Sequence, residues 1–94
     1  MSEFGPLSRI AYVNGSYLPH NAAAVHIEDR GYQFSDGVYE VIAIHRGSLV
    51  DEAAHMERLE RSLSELEIDW PMSARCLSIV MRQVIGRNRI NDGI

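Results

Sequence analysis

Asp29-Arg30-Gly31-Tyr32-Gln33-Phe34-Ser35-Asp36-Gly37-Val38-Tyr39-Glu40-Val41 passes from a polar, glycine-broken loop into a run of β-branched and aromatic residues that continues through Ile42-Ala43-Ile44. Such side chains fit a pleated, half-buried surface, so residues 38–44 read as a strand. Strand alternation sets Tyr39, Val41 and Ala43 on one face and Val38, Glu40, Ile42 and Ile44 on the other. Both faces are mostly apolar, which predicts that both are covered. Ser35-Asp36-Gly37 reads as the turn into the strand. Arg46-Gly47-Ser48 reads as the turn out of it, into a short Leu49-Val50 partner.

Upstream, Arg9-Ile10-Ala11-Tyr12-Val13 and Ser16-Tyr17-Leu18 flank Asn14-Gly15, the pair that supplies two positive-φ positions to a tight hairpin turn. Pro19 ends the second arm. Val25 and Ile27 alternate weakly around His26, and Glu28 to Gly31 read as a loop. Downstream, residues 52–66 read as a helix with Asp51 as N-cap and Leu59, Leu63 and Leu66 on one stripe. Glu57 and Arg61 are spaced as an i,i+4 surface pair on it. A second helix starts after Ser73, whose hydroxyl is its expected cap. Leu77, Val80, Met81, Val84 and Ile85 recur on it at the spacing of a buried face, and Gly86 to Asn91 end it. Cys76, on that helix and without a disulfide partner, reads as a small buried hydrophobe. Asn91-Asp92-Gly93 is a turn signal before Ile94, which reads as the first residue of a further strand.

The fold class is therefore α+β, an antiparallel sheet built from hairpins with two helices packed on it, in one unit over residues 9–94. Residues 1–8 read as a disordered tail or a cloning remnant. Thirteen acidic against nine basic residues give a net charge of -4, which argues against a nucleic-acid partner, and no apolar run is long enough to span a membrane. A lone cysteine and the lack of a signal peptide point to the cytoplasm. His20, His26 and His45 show no metal-ligand spacing. All nine basic residues are arginine. Each is a planar fork suited to carboxylate or phosphate, and none is a nucleophilic amine.

Residues 28–44, together with His55-Met56-Glu57-Arg58-Leu59 on the following helix, resemble the fold-type IV, pyridoxal-phosphate-dependent (class IV) aminotransferases, most of all those of the D-amino-acid type. The resemblance extends from about Arg9 to Ile94 and implies the N-terminal small domain of such an enzyme. It implies transamination between an amino acid, D-configured in this type, and a 2-oxo acid, with pyridoxal 5'-phosphate as cofactor and a homodimer as the working form. By the same resemblance Arg58 binds the cofactor phosphate and His55, one helical turn earlier, supports it. Tyr39 helps hold the substrate carboxylate, and Val41 lines the side-chain pocket.

Read without the resemblance, Arg58 is a surface arginine pairing with Glu57 or Glu60, and His55 satisfies a backbone carbonyl. Tyr39 and Val41 then fill a core. Glu40, on the opposite strand face, is expected to make a structural hydrogen bond or salt bridge, with Arg30 as its partner. Ser35 stands where the family often has glycine, a change that a negative φ tolerates.

The family's Schiff-base lysine has no counterpart here, so the segment is expected to be inactive alone and truncated before the lysine-bearing domain. Its uncovered apolar edges are expected to promote association. A branched-chain aminotransferase or aminodeoxychorismate lyase would share Arg58 and the fold. A stand-alone, non-catalytic interaction module would share the shape alone.

Overall fold

A computed structural model describes residues 9–94; the expected tail at residues 1–8 lies outside the described residues. The chain opens with an antiparallel hairpin of β1 (Ile10–Val13) and β2 (Ser16–Pro19), in which Tyr12 faces Tyr17 across the ladder. Their rings meet edge-on with centroids 5.0 Å apart. Asn14 and Gly15 take φ of 49° and 89°, the double positive-φ turn that matches strand twist. A 3-10 turn follows at His20–Ala22.

The expected loop at Glu28–Gly31 instead leads into a short helix, α1 (Arg30–Phe34). Asp29 starts it, its carboxylate accepting the Tyr32 backbone N–H at 3.2 Å. Gly31 belongs to the helix and does not break it: a Cβ there would come within 3.0 Å of Asp29 Oδ2. Ser35 closes α1 with φ 57°, so the negative φ expected of it is not what it adopts. Serine sits in the left-handed conformation that favours glycine, held because its backbone N–H caps the Arg30 and Gly31 carbonyls.

Residues 38–43 alternate in burial but form no strand; Ala43 O accepts the Val50 N–H at 2.9 Å, and the ladder begins only at β3 (Ile44–His45), paired with β4 (Ser48–Leu49). The turn between them, Arg46-Gly47, again has two positive φ values, 50° and 78°. The hairpins thus form two separate two-stranded sheets and not one continuous sheet. Gly93 adds an antiparallel bridge on the other edge of β3, through Ile44 N–H to Gly93 O at 2.7 Å and Gly93 N–H to Ile44 O at 3.0 Å.

The alternation expected of residues 38–44 holds, but only one of its faces is covered. Val38, Glu40 and Ile42 are half-buried and Ile44 is buried, whereas Tyr39 is 86% exposed and Val41 55% exposed. The covering elements are α2 (Glu52–Glu65) and α3 (Ala74–Arg87). Leu63 of α2 is buried and Leu59 half-buried, while Leu66, expected on the same stripe, is exposed just beyond the helix end. Leu77, Val80, Met81, Val84 and Ile85 of α3 are half-buried, as their spacing predicts. Between this stripe and Ile42 and Ile44 lies an open apolar cleft of about 550 Å³.

Helix starts differ in chemistry. Ser73 caps α3 as expected, its Oγ accepting the Cys76 N–H at 3.1 Å. Asp51 does not cap α2 with its side chain: its φ of 54° closes the preceding turn, away from the extended backbone from which a capping side chain reaches helical N–H groups. The Glu57–Arg61 spacing yields no ion pair, whereas Glu52 crosses to α3 and binds Arg82 at 2.8 Å and the Ser78 hydroxyl at 2.7 Å. Cys76 is exposed, not buried, because it lies on the side of α3 away from the apolar stripe. Its thiol is expected to react fully with a soluble disulfide reagent under native conditions. Labelling that needs denaturant would contradict the observed helix orientation.

Asn88 ties the ends of the described chain together. It terminates α3, its Nδ2 donating to Val84 O at 2.7 Å. The same amide brackets Ile10 of β1, accepting its N–H at 2.8 Å and donating to its C=O at 2.9 Å. The side chain thereby serves β1 as an adjacent strand would. Arg87, the residue before it, lies over the Tyr17 ring at 4.0 Å.

Candidate functional site

The polar cluster of the fold gathers where residues 38–43 pass α2. Alternation turns Glu40 inward, and His55 and Arg58, three residues apart, share one helical face, so the carboxylate meets both side chains. Arg58 Nε donates to Glu40 Oε2 at 2.9 Å and Nη2 donates to Oε1 at 2.7 Å, a two-point fork. His55 Nδ1 lies 2.7 Å from the same Oε1.

The protonation pattern follows from these contacts. Arg58, and after it His55, hold the Glu40 carboxyl well below its ordinary 4.5, to about 2. The group is therefore a carboxylate, and His55 Nδ1 must carry the proton that bridges the 2.7 Å separation. Arg58 Nη2, 3.2 Å from that nitrogen, is then a second donor sharing one acceptor, not a partner of the ring. Glu40 in turn raises the Arg58 pKa, through the hydrogen bonds first and its charge second.

The Glu40 side chain is 12% exposed and the Arg58 side chain 55% exposed. The guanidinium is thus anchored along its Nε–Nη2 edge and open along the other, where Nη1 makes no hydrogen bond among the described residues. An anchored cation with an open donor edge fits an anionic group of phosphate or carboxylate type.

Of the four residues singled out in the sequence, the structure brings His55 and Arg58 into one cluster. Tyr39 lies on the outward face, away from the cluster. Val41 shares that outward face. Sequence reasoning gave Glu40 the wrong partner. Arg30 binds Asp36 at 2.6 Å, and Glu40 takes Arg58 and His55 instead. The pairing of Arg58 with Glu57 or Glu60, the alternative for a surface arginine, does not occur either. Among the described residues no group of three or more His, Cys, Asp or Glu could hold a metal ion, and no helix is long and apolar enough to cross a membrane.

The Glu40 cluster makes stability depend on pH. A carboxyl whose folded pKa is depressed contributes stability that is present above its ordinary value and lost as pH falls through the folded one. The melting midpoint is therefore expected to fall as pH drops from 4.5 toward about 2. Glu52, lowered by Arg82 and then by Ser78, adds in the same direction. The Glu40→Gln substitution should flatten this dependence without abolishing it. An identical acid profile in the variant would show that the cluster is not formed in solution.

The α+β unit and its arginine-carboxylate-histidine cluster belong to a sequence homologous to aminotransferases. The particular relatives are D-alanine aminotransferases. The chain is 39% identical over 82 residues to that of Staphylococcus haemolyticus, a match covering 87% of this chain and 29% of the relative. It is 42% identical over 80 residues to that of Bacillus licheniformis, covering 85% and 28%, and 37% identical over 81 residues to that of Listeria innocua, covering 86% and 28%. The chain thus spans under a third of the length of the curated relatives it matches. No family model matches it.

Proposed function

We propose that this chain is the small domain of a pyridoxal-phosphate-dependent transaminase of fold-type IV. It works within a longer polypeptide and as a homodimer, and exchanges the amino group of a D-amino acid with a 2-oxo acid. The observation that carries the reading is the anchored guanidinium of Arg58, with an open donor edge, in a chain homologous to D-alanine aminotransferases. The cofactor, when bound, supplies the electron sink that stabilises negative charge at the substrate Cα.

This chain's own residues bind and orient. Arg58 donates from its open edge to the cofactor phosphate, and His55 flanks it. Tyr39 and Val41, side by side on the outward face of one segment, form a wall on the substrate side. There the Tyr39 hydroxyl can donate to a carboxylate, and Val41 limits the space for a side chain. Their exposure supports this, since residues serving only the core would face α2 and α3. With no lysine among its 94 residues, the segment supplies neither the covalent attachment of the cofactor nor the proton carrier at Cα. The segment by itself is inactive.

The test is product analysis on the full-length protein with pyridoxal phosphate, a 2-oxo acid acceptor, and D-alanine or L-leucine as donor. Conversion of D-alanine to pyruvate with equimolar amination of the acceptor is the expected result. Turnover of L-leucine with none of D-alanine would replace the D-amino-acid reading with the branched-chain one, and turnover of neither would remove transamination.

A further inference from the structure

We infer that Glu40 is a positioning residue: its carboxylate fixes the Arg58 guanidinium so that the open Nη1 edge is presented to the cofactor phosphate. This rests on the reading of Arg58 given above. An arginine on a helix surface has four rotatable side-chain bonds, and at 55% exposure little else restrains it. The fork of 2.9 and 2.7 Å removes that freedom by engaging two nitrogens along one edge, which sets both the plane of the guanidinium and its rotation about Cδ–Nε. His55 holds the carboxylate from a third direction at 2.7 Å, so Glu40 is itself fixed. A cation oriented before its ligand arrives loses less freedom on binding, and binds more tightly for it.

The opposite role for the same contact is charge neutralisation, in which Glu40 weakens the attraction of Arg58 for anions. The two roles predict opposite signs. If Glu40 positions Arg58, its loss weakens phosphate binding; if it neutralises Arg58, its loss strengthens it.

The experiment measures, on the full-length protein, the dissociation constants of pyridoxal phosphate and of pyridoxal; the pyridoxal constant divided by the pyridoxal phosphate constant isolates the phosphate contribution. Glu40→Gln keeps the shape but sets an amide donor against one of the two Arg58 donors whichever way the amide lies, so the fork cannot form. We expect the ratio to fall about tenfold, the size of effect of one charge-assisted hydrogen bond, with pyridoxal affinity unchanged. Glu40→Asp keeps the charge and withdraws both oxygens by a methylene. It should lower the ratio as well, which neutralisation does not predict, and it stands as an independent test should the glutamine variant fold poorly. Arg58→Ala is the control for the underlying reading and should abolish the discrimination. A ratio that is unchanged or higher in the Glu40 variants while Arg58→Ala collapses it overturns the positioning role and leaves the Arg58 reading intact. A ratio insensitive to Arg58→Ala overturns both.

Discussion

Replacing Asn88 with alanine is expected to lower unfolding stability by about 2–4 kcal/mol, because it removes three hydrogen bonds and leaves both polar groups of Ile10 without their partner. The backbone of β1 at that point faces β2 on one side and the Asn88 amide on the other, and among the described residues no other side chain takes the same place. Chemical denaturation of the variant, with the slope compared as well as the midpoint, measures the loss. Asn88→Asp sharpens the test. An ionised aspartate still accepts the Ile10 N–H but sets an oxygen against the Ile10 carbonyl, so it should be destabilised at neutral pH. It should recover part of the loss in acid, where the protonated carboxyl donates. A loss confined to a few tenths of a kcal/mol in both variants would mean that water replaces the amide at no cost.

The second large effect is on cofactor affinity. Arg58→Ala in the full-length protein is expected to weaken pyridoxal phosphate binding at least about a hundredfold, the loss of roughly two hydrogen bonds between charged groups. Arg58→Lys should recover only part of it. A lysine keeps the charge but has no Nε–Nη2 edge, so Glu40 cannot hold it in a two-point fork. Equal affinity in the lysine variant would mean that charge alone, without orientation, does the binding. The acid melting profile offers an independent check, since Arg58→Ala removes the largest influence holding down the Glu40 pKa.

Much of this fold was legible because its signals are local. Asn14-Gly15 marks the first hairpin, Ser73 caps α3, and the apolar spacing of α3 places its half-buried stripe, each decided by residues within a few positions of one another. What was missed depends on neighbours distant in the chain. The run 38–44 is as apolar outward as inward, so composition could not tell that one face stays uncovered. Asp29-Arg30-Gly31 resembles a helix breaker, yet the Asp29 carboxylate caps the first turn of α1 and the glycine lies within it. The left-handed backbone of Asp51 and Ser35 is set by turn closure, which their residue types do not announce.

The site shows the same division. His55 and Arg58 could be placed on one helical face, and Glu40 on the inward strand face, from periodicity alone. That the faces meet is a tertiary fact across 18 and 15 positions of sequence, which the expectation of Arg30 as partner does not capture. A signal was available: an inward carboxylate on a strand needs a cation or donors, and the next helix offers a histidine and an arginine one turn apart. The roles of Tyr39 and Val41 rested on resemblance, since a tyrosine and a valine alternating on a strand read equally well as packing.

The Asn88 bracket also sets the order in which this unit can be made. The two hairpins and both long helices are built from contacts between near neighbours, which form fast and with little loss of chain freedom. The link to Ile10 spans 78 positions, so β1 must wait, with one edge unsatisfied, until α3 has been synthesised to its last turn. During translation the hairpin is therefore an early, open-edged structure whose partner on α3 arrives late.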